Sequence, residues 1–149
     1  MFARKITYVN GRYLPHDMAS VHIEDRGYQF SDGIYEVVAI HNRKMLDEDL
    51  HFKRLERSLK NLSIKAPVSI NAMKIIIDEL IRRNKIVNSY IYIQVTRGVA
   101  KRNHPFPKGD VKPALVIMFT DMKAPPLKDY MDGVRVITTS DLRWHRRDI

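Results

Sequence analysis

Apolar and polar residues alternate with the period of a β-strand in several short stretches of the chain. In the stretch ITYVNGRYLP, Asn10 and Gly11 stand between two such flanks, which is a strong signal of a tight hairpin. Further strands are predicted at 34–40, 45–46, 89–98 and 113–120, where β-branched and aromatic residues are enriched. These segments are numerous enough to build one sheet.

The apolar period becomes helical after residue 46. Four apolar positions share one face of the segment 47–62: Phe52, Leu55, Leu59 and Leu62. Asp47 is the candidate N-cap of this helix, and a second helix is predicted from near Ser69 to around Asn84. Because the early hairpins argue against a parallel winding, we expect an α+β fold, a mostly antiparallel sheet covered by the two helices.

A proline pair divides the chain near its end. Pro125 and Pro126 lie in KAPPLKDYMDG, which is a candidate linker. We therefore predict a small α+β domain at 1–123, and a linker with the first strand of a larger domain at 124–149. That strand is expected in VRVITTSDLRW.

The composition is that of a folded domain and is compatible with a reducing compartment. Hydrophobic residues make up 44% and charged residues 29% of 149 residues, and there is no cysteine. The early polar residues leave no room for a signal peptide, and no apolar run is long enough to span a membrane, so we expect a cytoplasmic protein without a membrane partner. The net charge of +9 favours anionic ligands.

Several common sites have no sequence signal. The stretch RGYQFSDG lacks the spacing of both familiar phosphate-binding glycine loops, and no serine-nucleophile elbow is present. The six histidines are scattered without ligand spacing, so no metal site is predicted. In the slightly longer stretch DRGYQFSDG we interpret Asp25, Arg26 and Asp32 as residues that pair within a turn, and Gly27 and Gly33 as residues that allow the tight backbone.

Two basic clusters are candidates for anion binding. The first predicted helix carries Lys53, Arg54, Arg57 and Lys60, which is either a solvated face or a face with a functional arginine. The loop VTRGVAKRNHPFP contains Arg97, Lys101, Arg102 and His104. Guanidinium and imidazole groups suit a carboxylate or phosphate, and a simple exposed basic loop is the other interpretation.

Four motifs in one order give the chain a family resemblance. EDRGYQFSDGIYEVV, HFKRLERSLK, YIYIQVTRG followed by KRNHPFP, and LRWHRRDI together resemble the first half of the D-amino-acid aminotransferases. These enzymes belong to the class IV, fold-type-IV group, which depends on pyridoxal 5'-phosphate. The resemblance implies that this chain is the N-terminal small domain of such an enzyme with the start of the second domain.

The resemblance also implies roles for four residues. Tyr35 matches the active-site tyrosine near the substrate carboxylate, although a strand tyrosine can equally fill a core. Arg54, in the pattern His-x-x-Arg-Leu-x-x-Ser, matches the arginine that grips the cofactor phosphate. Arg102 and His104 match the pair that binds the substrate α-carboxylate, reaching in from the neighbouring subunit of a homodimer. The implied substrates are small amino acids and 2-oxo acids, as in D-alanine with 2-oxoglutarate.

One expected residue is missing. The family's cofactor-binding lysine would follow Ile149 directly, so the catalytic residue is unknown within these 149 residues. We expect either a piece of a longer chain or a sequence interrupted at a lysine that carries the cofactor. The 149 residues alone are expected to have no transaminase activity, because the amine nucleophile is absent.

Three alternatives stay open. A branched-chain aminotransferase or an aminodeoxychorismate lyase would share the fold, although both lack the Arg-x-His pattern before PFP. A basic nucleic-acid-binding module is the alternative from another class, based on net charge and on basic residues near Tyr90, Tyr92 and Trp144. An enzyme half that survives as a dimerisation or regulatory fragment is the third.

Overall fold

A six-stranded antiparallel sheet organises the chain. The structure is a computed structural model that describes residues 5–123 and 125–142. The strands are β1 (Ile6–Val9), β2 (Arg12–Pro15), β3 (Gly33–His41), β4 (Lys44–Met45), β5 (Ser89–Thr96) and β6 (Ala114–Thr120). Their order across the sheet is β2-β1-β6-β5-β3-β4. The long pairings of β3 with β5 and of β5 with β6 form its centre.

Two long helices cover one face of this sheet. The helices are α1 (Arg26–Phe30), α2 (Glu48–Asn61), α3 (Ile70–Asn84) and α4 (Leu127–Asp132). From α2, Phe52, Leu55 and Leu59 enter the core, and α3 contributes five buried residues: Met73, Ile76, Ile77, Leu80 and Ile81. The predicted antiparallel sheet covered by two helices is therefore confirmed.

The predicted hairpin forms where Asn10 and Gly11 join β1 to β2. Both residues have positive φ, 48° and 94°, which is the backbone that a two-residue hairpin turn requires. Asn10 also accepts a 2.7 Å hydrogen bond from the backbone N–H of Leu115. The turn therefore ties β1 to the start of β6 as well as to β2.

The helix ends agree with the sequence in one case and differ in another. Ser69 caps α3, since its side chain accepts a hydrogen bond from the N–H of Ala72. Asp47 precedes α2 but lies in the left-handed region at φ 49°, and its side chain makes no capping bond. Asp47 therefore stands at the predicted N-cap position, where its backbone carbonyl accepts from the N–H of His51 and its side chain makes no capping bond. Leu62 lies past the end of α2 and is 40% exposed.

Three further local predictions are corrected. The turn before β3 contains the short helix α1, and the predicted linker contains α4. The predicted strand in VRVITTSDLRW is not formed at residues 134–142, and residues 143 and 144 lie outside the described residues. Val136 and Ile137 are almost fully exposed there, and a strand requires a neighbouring ladder to satisfy its backbone, which no described strand offers to this segment. The division at 123/124 stays a prediction.

The second face of the sheet is open. Tyr35 and Val37 of β3 and Tyr90 of β5 are exposed there at 64%, 42% and 37%. Within residues 5–123 and 125–142, no helix is both long and apolar enough to cross a bilayer. The open face is where the first of the predicted site residues lies.

Candidate active site

Neighbouring residues of β3 serve opposite sides of the sheet. Tyr35 points to the open face and Glu36, which is 3% exposed, points to the helix face, because successive side chains of a strand alternate. The Tyr35 ring stacks on Tyr92 of β5 with centroids 5.6 Å apart. Tyr92 in turn donates its hydroxyl hydrogen bond to Gln94. This exposure excludes the interpretation of Tyr35 as a core aromatic.

On the helix side, Glu36 is the acceptor for two residues of α2. Arg54 donates from Nε to Glu36 Oε1 at 2.7 Å and from Nη2 to Oε2, and His51 donates from Nδ1 to Oε2 at 2.8 Å. His51 and Arg54 are three residues apart, so both side chains leave the same face of the helix. The two residues of the His-x-x-Arg pattern therefore bind the same carboxylate, that of Glu36 on β3.

The carboxylate and the guanidinium hold each other in their charged forms. Burial raises the pKa of Glu36, but the hydrogen bonds from Arg54 and His51 outweigh burial, so its pKa lies below the ordinary value. The hydrogen bond with Glu36 raises the pKa of Arg54. Glu36 and Arg54 thus form an ion pair in which each stabilises the charge of the other.

Arg54 also faces solvent. Its side chain is 53% exposed, and within the described part of the chain its Nη1 has no hydrogen-bond acceptor. Lys53 and Arg57 line the same shallow depression on α2. Glu36 therefore fixes one edge of the guanidinium, and the other edge is free to bind an anion in a basic surrounding.

Arg102 and His104 meet at one aromatic ring. Both lie in the β5–β6 loop (residues 97–113), and both are exposed. The guanidinium carbon of Arg102 is 5.4 Å from the centroid of Phe30 in α1, and the His104 ring centroid is 5.6 Å from it. The structure brings these two predicted residues together, while Tyr35 lies with Tyr92 and Arg54 with Glu36.

A buried aspartate links the loop to the helices. Asp32 Oδ2 accepts hydrogen bonds of 2.8 Å from the Nε atoms of Arg26 and Arg97. Burial raises the pKa of Asp32, and the bonds from both arginines lower it further than burial raises it, so its pKa lies below the ordinary value. Arg97 also donates to the carbonyls of Leu62 and Ser63 at the end of α2.

The prediction that Asp25, Arg26 and Asp32 pair near the turn is confirmed, and their contacts extend beyond it. Asp25 caps α1 by accepting from the N–H of Gly27 at 2.8 Å, and it also accepts from the hydroxyl of Thr96 at 2.9 Å. Arg26 reaches across to Asn103 in the β5–β6 loop. The turn is thus bound to β5 and to the loop that follows it.

The explanation predicted for the two glycines is wrong. Neither Gly27 nor Gly33 has a positive φ, and the left-handed position of this turn is Ser31, at φ 54°. A Cβ at Gly27 would lie 2.2 Å from Thr96 Cγ2, and one at Gly33 would lie 2.7 Å from the Val95 carbonyl oxygen. Close approach to β5 is the reason that these two positions are glycine.

Two important residues of the site carried no role in the sequence interpretation. Glu36 is a single acid between apolar residues of a predicted strand. A buried carboxylate needs a charged partner, so this pattern could have indicated that Glu36 pairs with a basic residue such as Arg54. Phe30 had no comparable signal, because a tertiary contact brings it to Arg102 and His104. In the part of the chain that the structure describes, no cluster of three histidines and acidic residues could hold a metal ion.

The comparisons with known proteins identify the family. Residues 33–149 match the family model of amino-transferase class IV. A D-alanine aminotransferase of Staphylococcus epidermidis is 39% identical over 142 residues, which are 95% of this chain and 50% of that protein. The chain thus spans about half the length of the curated relatives it matches.

Solved structures agree with this assignment at the level of the fold. The branched-chain amino acid aminotransferase of Escherichia coli superposes with a TM-score of 0.74 at 18% identity, covering 82% of this chain and 41% of that one. A T.th. branched-chain amino acid aminotransferase with pyridoxamine 5'-phosphate also reaches 0.74, at 17% identity, covering 84% and 42%. The predicted small domain of the fold-type-IV group is confirmed. The chain belongs to the class IV aminotransferase family.

Proposed function

We propose that the chain is the N-terminal part of a pyridoxal-phosphate-dependent D-amino-acid transaminase. The reaction would convert D-alanine and 2-oxoglutarate into pyruvate and D-glutamate. The observation that carries the proposal is the exposed pair Arg102 and His104, gathered at Phe30 as two donors for one carboxylate. The 39% identity to a D-alanine aminotransferase supports the same choice.

The donor set at Arg54 fits the phosphate of the cofactor. A phosphate needs several N–H donors in a positive field, and Arg54 offers its free Nη1 edge beside Lys53 and Arg57. Glu36 keeps the guanidinium oriented, so little rotamer freedom is lost when an anion binds. When bound, pyridoxal phosphate supplies the electron sink for the bonds to the substrate α-carbon.

Tyr35, Arg102 and His104 are proposed to bind the substrate. The stacking of Tyr35 on Tyr92 holds its ring on the open face of the sheet, with the hydroxyl available to a ligand. The position of the carboxylate-binding pair decides which enantiomer presents its α-hydrogen to the catalytic base. We propose a homodimer in which Arg102 and His104 serve the neighbouring subunit's site, and their exposure in one protomer agrees with that.

Two relatives in the same family are the competing candidates. The branched-chain aminotransferase that superposes on the chain has 18% identity, which supports the fold alone. The Arg-x-His pattern at 102–104, which the family resemblance assigns to the D-amino-acid enzymes, favours those enzymes over both relatives. The nucleic-acid alternative depended partly on Tyr92 and Trp144. The Tyr92 ring stacks on Tyr35, and Trp144 lies outside the described residues. The cytoplasmic location stays a prediction.

The deciding experiment uses the full-length protein that contains this chain, loaded with pyridoxal phosphate. Pyruvate formed from D-alanine and 2-oxoglutarate is followed by coupled NADH oxidation. The visible absorbance of the bound cofactor is recorded with D-alanine and with L-alanine. We expect turnover and a spectral shift with the D-enantiomer alone. Turnover of L-leucine without turnover of D-alanine would assign the protein to the branched-chain enzymes instead.

A further inference from the structure

The middle of the β5–β6 loop is bound to Arg26 of α1. Arg26 Nη1 donates a 2.9 Å hydrogen bond to the backbone carbonyl of Asn103. Asn103 stands between Arg102 and His104, so this carbonyl belongs to the peptide that leads directly into His104. A hydrogen bond from a charged group to this one peptide restrains the backbone from which both side chains project.

Arg26 is itself fixed on several sides. Its side chain is 4% exposed, its Nε donates to Asp32 at 2.8 Å, and its backbone N–H donates to Gly98 at 3.0 Å. Its guanidinium carbon lies 4.7 Å from the centroid of Phe30, the same ring that Arg102 and His104 approach. A buried guanidinium with this many partners has one available geometry, which makes it a rigid support.

Further contacts hold the loop before and after Asn103. At the base, Gly98 has φ 101°, and a Cβ there would lie 2.0 Å from the Lys112 carbonyl oxygen. Further along, Phe106 lies over the guanidinium of Arg97 with 4.6 Å to its centroid. Between these points, the described contacts of the segment 101–104 are the hydrogen bond from Arg26 to Asn103 and the approach of Arg102 and His104 to the Phe30 ring.

We propose that Arg26 is the positioning residue of the carboxylate-binding pair: its bond to Asn103 sets where Arg102 and His104 stand. This inference rests on the proposed function for the pair, and it adds a residue that never contacts the substrate. A lysine at position 26 retains a charge for Asp32, but it has no planar fork that reaches both Asp32 and the Asn103 carbonyl. Arg26→Lys therefore removes the positioning bond and keeps the ion pair.

The first test measures the loop directly by limited trypsin digestion of the full-length holoenzyme. Trypsin cuts after Lys101 and Arg102, and mass spectrometry identifies those cuts. We expect Arg26→Lys to be cut there about tenfold faster than wild type, with no faster cutting in α3 after Lys74, which would mark general unfolding. The matched control is Arg82→Lys, the same substitution at an exposed position of α3 where the side chain pairs with Glu79.

The second test measures what the loop does. Because D-alanine and 2-oxoglutarate share an α-carboxylate, Arg26→Lys should raise the KM of both by about tenfold while kcat changes less. A loop that stays protected in Arg26→Lys, equal cutting in Arg82→Lys, or an opened loop with unchanged KM values would each overturn the inference. A wild-type holoenzyme without D-alanine turnover would overturn the proposed function, and the trypsin result would still decide whether Arg26 holds the loop.

Discussion

Glu36 and Arg54 form a two-point ion pair between the centre of the sheet and the helix that covers it. The carboxylate is buried and the guanidinium is half-exposed, so one residue is the anchor and the other presents a free edge. A strand residue next to Tyr35 thereby orients a helix residue on the other side of the sheet. The pair connects the proposed substrate residue and the proposed cofactor residue through adjacent positions of β3.

Glu36→Gln should lower the free energy of unfolding by about 1–3 kcal/mol at pH 7, because a neutral amide cannot replace the charged acceptor of Arg54 and His51. The pKa of Glu36 is lowered in the folded state. Its stabilisation is therefore complete above the unfolded value of about 4.3 and is lost as pH falls through the folded value. Urea unfolding at pH 7 and pH 3 should show a difference from wild type that shrinks at pH 3.

The matched control for this prediction is Glu56→Gln, an exposed glutamate on the same helix. We expect it to change the free energy of unfolding by less than about 0.5 kcal/mol at either pH. An equal loss for Glu36→Gln at both pH values would mean that shape, and not charge, is what Glu36 contributes.

Arg54→Lys should weaken binding of pyridoxal phosphate by about tenfold or more. A lysine presents a point charge and cannot keep a fork on Glu36 while it offers a free edge to a phosphate. The dissociation constant is measured by fluorescence titration of the apoenzyme of the full-length protein. Arg82→Lys is the control, since Arg82 is exposed on α3 and pairs with Glu79. Comparable weakening in both variants would show that total charge, and not Arg54, binds the phosphate.

Arg102→Met should raise the KM for D-alanine by about one order of magnitude and reduce the preference for D-alanine over L-alanine. The adjacent Lys101→Met removes the same charge from the same loop and should have a much smaller effect. Steady-state kinetics with both enantiomers measure this difference. If the two variants behaved alike, the loop would act through its general charge, and the assignment of the pair to the carboxylate would be wrong.

The spacing of apolar residues and the turn residues were enough to predict the hairpin at Asn10 and Gly11, the sheet and both long helices, since these elements depend on local preference. The His-x-x-Arg pattern identified Arg54 as a site residue only through the family resemblance. What the sequence did not indicate is tertiary: the buried Glu36 that receives Arg54, and Phe30 as the meeting point of Arg102 and His104. The segment 134–140 has a strand pattern, but a strand forms only beside a partner.

Gly27 can be tested as a point of close approach between α1 and β5. Gly27→Ala should destabilise the protein by about 1–3 kcal/mol, because its Cβ would stand 2.2 Å from Thr96 Cγ2. Thr96→Ser deletes that methyl group and keeps the hydroxyl that donates to Asp25. The double variant should therefore regain only part of the loss, because the Cβ of residue 96 would still lie 2.8 Å from the new Cβ and would have to move. Chemical denaturation of the two single variants and the double variant gives the coupling free energy between the sites. A coupling near zero would contradict steric contact with Thr96 as the reason for glycine here.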